Sequence, residues 1–130
     1  MVDLLRFRAW DVEFKEMVQV DALVFEEQII KATYKNGNLV KEDLKNYVLM
    51  QSTGLTDKNG KEIFEGDVLK VTDKHSWLEV VSFSEKKAMF VSKEIGFPES
   101  PLWELFNTVL FEIEIIGNIY ENPELAEVSS

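Results

Sequence analysis

Apolar and polar positions alternate with a period of two near both ends of the chain, the spacing of strands that bury one face. At the start, Leu5, Phe7 and Ala9 fall on one side and Leu4, Arg6, Arg8 and Trp10 on the other. A charged break over residues 11–16 and an apolar resumption at Met17 predict a hairpin. Residues 29–34 read as a strand ending at the Asn36-Gly37 turn, with two helical turns over residues 25–31 as the alternative. Further strands are expected at residues 47–51, 68–71, 77–83 and 88–91. Turn chemistry separates them: Gly54, then Asn59-Gly60 after Asp57, then Gly66-Asp67 after Glu65. Ser100 followed by Pro101 predicts a short helix near residues 101–108, with Ser100 as its cap. The last strand is expected over residues 109–120, with Val109, Phe111, Ile113, Ile115, Gly117 and Ile119 on one face. The sum is a mainly β domain, all-β or β-rich α+β, of about seven short antiparallel strands in a partly barrel-like arrangement.

Composition narrows the class without changing that picture. A chain of 130 residues, 45% hydrophobic and 29% charged, has the size and make-up of one globular domain over residues 1–130. No apolar run approaches a membrane span, and the start lacks the basic-then-apolar order of a secretion signal. With no cysteine there is no disulfide, no thiolate metal site and no cysteine nucleophile. The net charge is −10, and residues 94–130 carry −8 of it because they hold eight glutamates and no Lys or Arg. Such a balance repels polyphosphate, so direct nucleic-acid contact is disfavoured. Segregated acid of this kind is either a solvated face or a docking surface for a basic partner.

The chemistry-bearing residues form no catalytic or cofactor signature. Read as a calcium loop from Asp57, the chain has Glu62 where the loop needs glycine and Val68 where it needs glutamate. Neither phosphate-loop spacing is present around Gly54, Gly60 and Gly66. The one histidine, His75, sits in a polar loop, where a solvated side chain is the expected state. Asp57, Glu65 and Asp67 are the first candidates for a carboxylate metal site, but exposed turns collect such residues for conformational reasons. Arg6, Arg8 and Trp10 share a strand face that suits phosphate and a stacked base. The competing expectation is internal: Glu112 and Glu114 have the same spacing on the last strand, and antiparallel pairing of first and last strands would set the two pairs opposite each other. Trp103 and Phe106, beside Leu102 and Leu105, put four large apolar side chains in one short segment, more than a small β domain need bury. Surplus of this kind implies an oligomer interface.

Three segments carry a family resemblance. Arg6-Phe7-Arg8-Ala9-Trp10-Asp11, the string from Met50 to Val68 containing Thr53-Gly54-Leu55-Thr56-Asp57 and Asn59-Gly60-Lys61, and the ending Glu114-Ile115-Ile116-Gly117-Asn118-Ile119-Tyr120-Glu121-Asn122-Pro123-Glu124-Leu125 together resemble the YopX family of phage and prophage proteins. They occur in the right order over nearly the whole chain, leaving residues 21–45 as a variable insertion, residues 74–101 outside the resemblance and residues 126–130 as a flexible acidic tail. The resemblance implies a protein encoded by a bacteriophage or prophage, located in the bacterial host cytoplasm and self-associating. It brings no reaction and no catalytic residues. Together with the residues, it leads to a non-enzymatic, self-associating accessory protein with no cofactor, contacting itself and a host or phage protein, without a membrane. The alternatives are a binder or charge mimic acting on nucleic-acid machinery, and a carboxylate-based metal-dependent hydrolase.

Overall fold

The alternation near Ala9 and Ile113 does build strands, in two antiparallel sheets that are not closed into a barrel. The structure is a computed structural model that describes residues 5–127; Leu4 and residues 128–130 of the acidic tail lie outside the described residues. The chain divides after Ser52 into two compact units, each with its own apolar cluster.

In the first unit β1 (Phe7–Asp11), β2 (Glu16–Val24), β3 (Ile29–Thr33) and β4 (Leu39–Asp43) follow one another as antiparallel hairpins. A 3-10 turn at Leu44–Asn46, capped by the Asp43 carboxylate, then leads into β5 (Tyr47–Thr56), which returns along the free side of β1. The order is β4-β3-β2-β1-β5, so β1 is an interior strand. Its Ala9 is fully buried with Val18, Ile30, Ala32 and Tyr47, because these positions all point to one face of the sheet. Residues 21–45, set apart above as an insertion, supply the end of β2 and all of β3 and β4. Strand, not helix, is the outcome for Ile29 to Thr33.

In the second unit the end of β5 runs beside β6 (Glu62–Phe64). The other sheet has the order β10-β9-β8-β7-β11, from β7 (Asp67–Thr72), β8 (Ser76–Ser84), β9 (Met89–Lys93), β10 (Ser100–Pro101) and β11 (Glu112–Asn118). Its core holds Ile63, Leu69, Val71, Val81, Leu102, Leu105 and Ile113. Eleven strands among the described residues replace the seven expected, because short edge segments such as Ser100–Pro101 pair without showing any periodicity. The expected helix is a five-residue 3-10 turn, Leu102–Phe106, capped by Pro101 without a side-chain hydrogen bond, since Ser100 is engaged in pairing with Ser92. A last 3-10 turn, Pro123–Glu127, occupies the start of the predicted tail.

Candidate functional site

The central signature residues are bound into turns of the second unit. Asp57 is 6% exposed, and its carboxylate accepts three backbone hydrogen bonds: from Asn59 N and Lys61 N on Oδ1, both at 2.9 Å, and from Ile115 N on Oδ2 at 3.0 Å. Burial pushes this carboxyl up, but the amides of Ile115, Lys61 and Asn59, with the Lys61 charge, outweigh it and hold it below its ordinary value. Gly60 supplies the positive φ of +80° that closes the turn. Lys58 N also donates to Ile113 O at 2.8 Å, so the Asp57–Lys61 turn covers the outer edge of β11 at Ile113 and Ile115. Asp67 is 1% exposed and accepts from Phe64 N at 2.8 Å, while Gly66 takes φ +88°. Gly54, at φ +79°, lies within β5 rather than in a loop. Gly54, Asn59, Gly60, Gly66 and Asp67 are thus turn or strand-irregularity residues.

Glu112 and Glu114 line one side of β11, and Lys58 approaches both at 3.9 and 3.8 Å. Their predicted pairing with Arg6 and Arg8 is corrected by the strand order. β1 is flanked on both sides by β2 and β5, and β11 pairs with β7 in the other sheet, setting Glu114 opposite Lys70. Alternation gave Arg6 and Glu112 matching spacings but carries no information on which strands are neighbours. Arg6 is exposed just before β1; Arg8 is half-buried, with Nε directed at Met50 Sδ at 3.4 Å, and Trp10 is half-buried on the same strand.

Beside β11 lies a cleft of about 240 Å³ lined by Leu105, Phe106, Phe111 and Ile113 and, in similar measure, by the polar residues Thr56, Asp57, Lys58, Thr108 and Glu112. The 3-10 turn that provides Leu105 and Phe106 exposes Trp103 at 55%, and the segment running on to β11 exposes Val109 completely and Leu110 at 68%. The structure thus brings Phe106 and Glu112 to one cleft and puts Trp103 on the turn that forms its wall.

Two polar clusters escaped the sequence reading. In the first unit Tyr34 Oη donates to Asp11 Oδ2 at 2.5 Å, Tyr47 Oη donates to Glu42 Oε1 at 2.5 Å, and the two hydroxyls stand 2.6 Å apart. Burial first, and then the hydrogen bond to Asp11, push the Tyr34 hydroxyl up to about 12; burial and Glu42 push Tyr47 up as well. In the second unit the buried Glu79 accepts from Trp77 Nε1 at 2.8 Å and from Ser92 Oγ at 2.6 Å. The only sequence signal was that Glu79 falls in phase with the apolar Val81.

The outer edge of the first sheet is β4, and its hydrogen-bond phase follows from the strand ends. Tyr34 N donates to Asn38 O at 2.9 Å and Leu44 N to Gln28 O at 2.8 Å. In an antiparallel ladder hydrogen-bonded pairs alternate, so Val40 and Glu42 turn their backbone groups to β3. Leu39 and Lys41 turn theirs outward, and the Leu39 side chain is 77% exposed.

A family model described as YopX protein matches residues 6–127. Among solved structures, the crystal structure of protein EF1440 from Enterococcus faecalis is similar at 28% identity, covering 96% of this chain and 99% of that chain with a TM-score of 0.68. No curated protein matches.

Proposed function

Because the chain belongs to the YopX family, we propose that it is a phage- or prophage-encoded accessory protein of the bacterial cytoplasm that self-associates and acts through protein contacts rather than catalysis. The observation that carries this reading is the β4 edge. Leu39 and Lys41 offer N–H and C=O groups along a strand at the end of its sheet, which is a template for another strand. A second copy of β4 fits it by charge. In an antiparallel pairing that sets Lys41 opposite a second copy's Asp43, the two-fold axis repeats the contact and places opposite charges across both pairs, at the cost of facing Glu42, whose carboxylate is held by Tyr47 Oη, with its own copy on the axis.

The test is Lys41→Pro. This substitution removes an outward N–H and leaves the β3 ladder intact, because proline is tolerated on an edge whose amide faces solvent. The wild type is expected to sediment as two or more chains of 15.0 kDa and the variant as one, with unchanged far-ultraviolet circular dichroism. Val40→Pro, which removes an inward hydrogen bond and leaves the carbonyl of the buried Ala32 unmatched, is the contrast and costs about 1–3 kcal/mol of stability. A wild type that sediments as a single chain overturns the reading.

A further inference from the structure

We infer that the cleft between the 3-10 turn Leu102–Phe106 and β11 is a docking site for a basic amphipathic segment of another protein; the inference rests on the contact-protein reading above and names the partner chemistry at a second surface. The cleft has a mixed lining, with Leu105, Phe106, Phe111 and Ile113 beside polar groups that include Thr56, Thr108 and Glu112, and the same stretch of chain leaves Trp103, Val109 and Leu110 in solvent. Exposed aromatic and aliphatic side chains beside a pocket are what an apolar anchor uses.

Charge decides the occupant. Glu112 lines the cleft, Glu114 follows it along β11 and Glu104 lies on the 3-10 turn, and residues 94–130, which supply most of the lining, contain no Lys or Arg, so two copies of these segments laid together would repel. A segment carrying Lys or Arg beside its apolar anchors is complementary to it. Lys58 approaches Glu112 and Glu114 at 3.9 and 3.8 Å with its side chain 43% exposed, and Lys70 stands across from Glu114 on β7; such surface pairs are of small worth and an incoming cation can displace them. The mode of docking is also restricted. Lys58 N and the Asp57 carboxylate already occupy Ile113 O and Ile115 N on the outer edge of β11, so a partner cannot extend the sheet at those positions. Recognition therefore runs through side chains, an amphipathic helix in a groove being the geometry that places anchors at spacings of three and four residues.

The probe is a fluorescein-labelled 14-residue peptide of Leu and Lys patterned at helical period, with a Leu and Glu counterpart of the same pattern, followed by fluorescence anisotropy on the full chain at physiological salt. The Lys peptide is expected to bind saturably and the Glu peptide not to bind. The double variants Trp103→Ser with Leu110→Ser, and Glu112→Lys with Glu114→Lys, are each expected to weaken binding at least about tenfold. Glu26→Lys with Glu27→Lys, which changes the net charge equally at an exposed turn of the first unit, is expected to leave binding within about threefold. Equal loss in that control overturns the proposal by showing general attraction to an acidic protein, as does the absence of saturable binding. Sedimentation of the same samples separates the two readings. A wild type that is a single chain removes the self-association reading and leaves the binding curves to decide this one. Dissociation of an assembly by the cleft variants assigns the cleft to a second copy and overturns it.

Discussion

Asp57 shows how a residue that looks like a metal ligand earns its place as a structural one. Its two oxygens are filled by three backbone amides, two from its own turn and one from Ile115, 58 positions further along the chain. Asp57→Asn keeps an acceptor for the turn but presents an amide donor to Ile115 N–H, leaving a buried donor unmatched, so it is expected to cost about 1–3 kcal/mol in urea denaturation. The pH dependence has a defined sign. The folded carboxyl lies below the ordinary value of 3.8, so its contribution is fully present above that value and is lost as pH falls towards the folded one. The wild type should therefore lose stability below about pH 4 more steeply than the Asn variant; parallel acid profiles would contradict the assignment. The local half of this arrangement was legible, because Asp57 with Asn59-Gly60 is turn chemistry at short range. The link to Ile115 was not, nor was the contact of Tyr34 with Asp11, 23 positions apart, since nothing local marks which distant group a polar side chain will meet.

At the scale of elements, periodicity found the hairpins β1–β2 and β8–β9 and the strands β3 and β7, because each buries alternate side chains over several residues. It overextended β11. The predicted strand over residues 109–120 is Glu112–Asn118, and a bulge between Ile115 and Gly117 breaks the alternation that the pattern carried to Ile119. Beyond the bulge the chain folds back: Asn118 Oδ1 accepts from Tyr120 N at 3.0 Å and Glu121 N at 2.8 Å, and Asn122 Oδ1 accepts from Asn118 N at 3.2 Å. Gly117 is what lets this turn approach, for a Cβ there would run into the Asn122 side chain and stand 2.9 Å from Leu125 Cδ1. Gly117→Ala is expected to lower stability by about 1–3 kcal/mol through that overlap. A change within about 0.5 kcal/mol in thermal or urea unfolding would show that the turn relaxes freely. The 3-10 turn at Leu102–Phe106 also exceeded what pattern supplies, since a Ser-Pro start reads equally as a helix cap or as the end of a short strand.

At the scale of the whole molecule, the β class and the acidic balance followed from the chain, whereas the neighbour relations of the strands did not. First and last strands share a period, yet they lie in different sheets, and Glu112 and Glu114 meet Lys58 instead of Arg6 and Arg8. Apolar surplus around Trp103 and Phe106 was visible in composition; the free edge at β4 was not, because it depends on which strand ends the sheet and on the phase of its hydrogen bonds. That edge is the centre of the account, and amide hydrogen exchange across a dilution series reads it directly. The account predicts that the Lys41 and Asp43 amides are protected in concentrated protein and exchange freely on dilution, while Val40 and Glu42 stay protected throughout. Fast exchange of Lys41 and Asp43 at every concentration would contradict it.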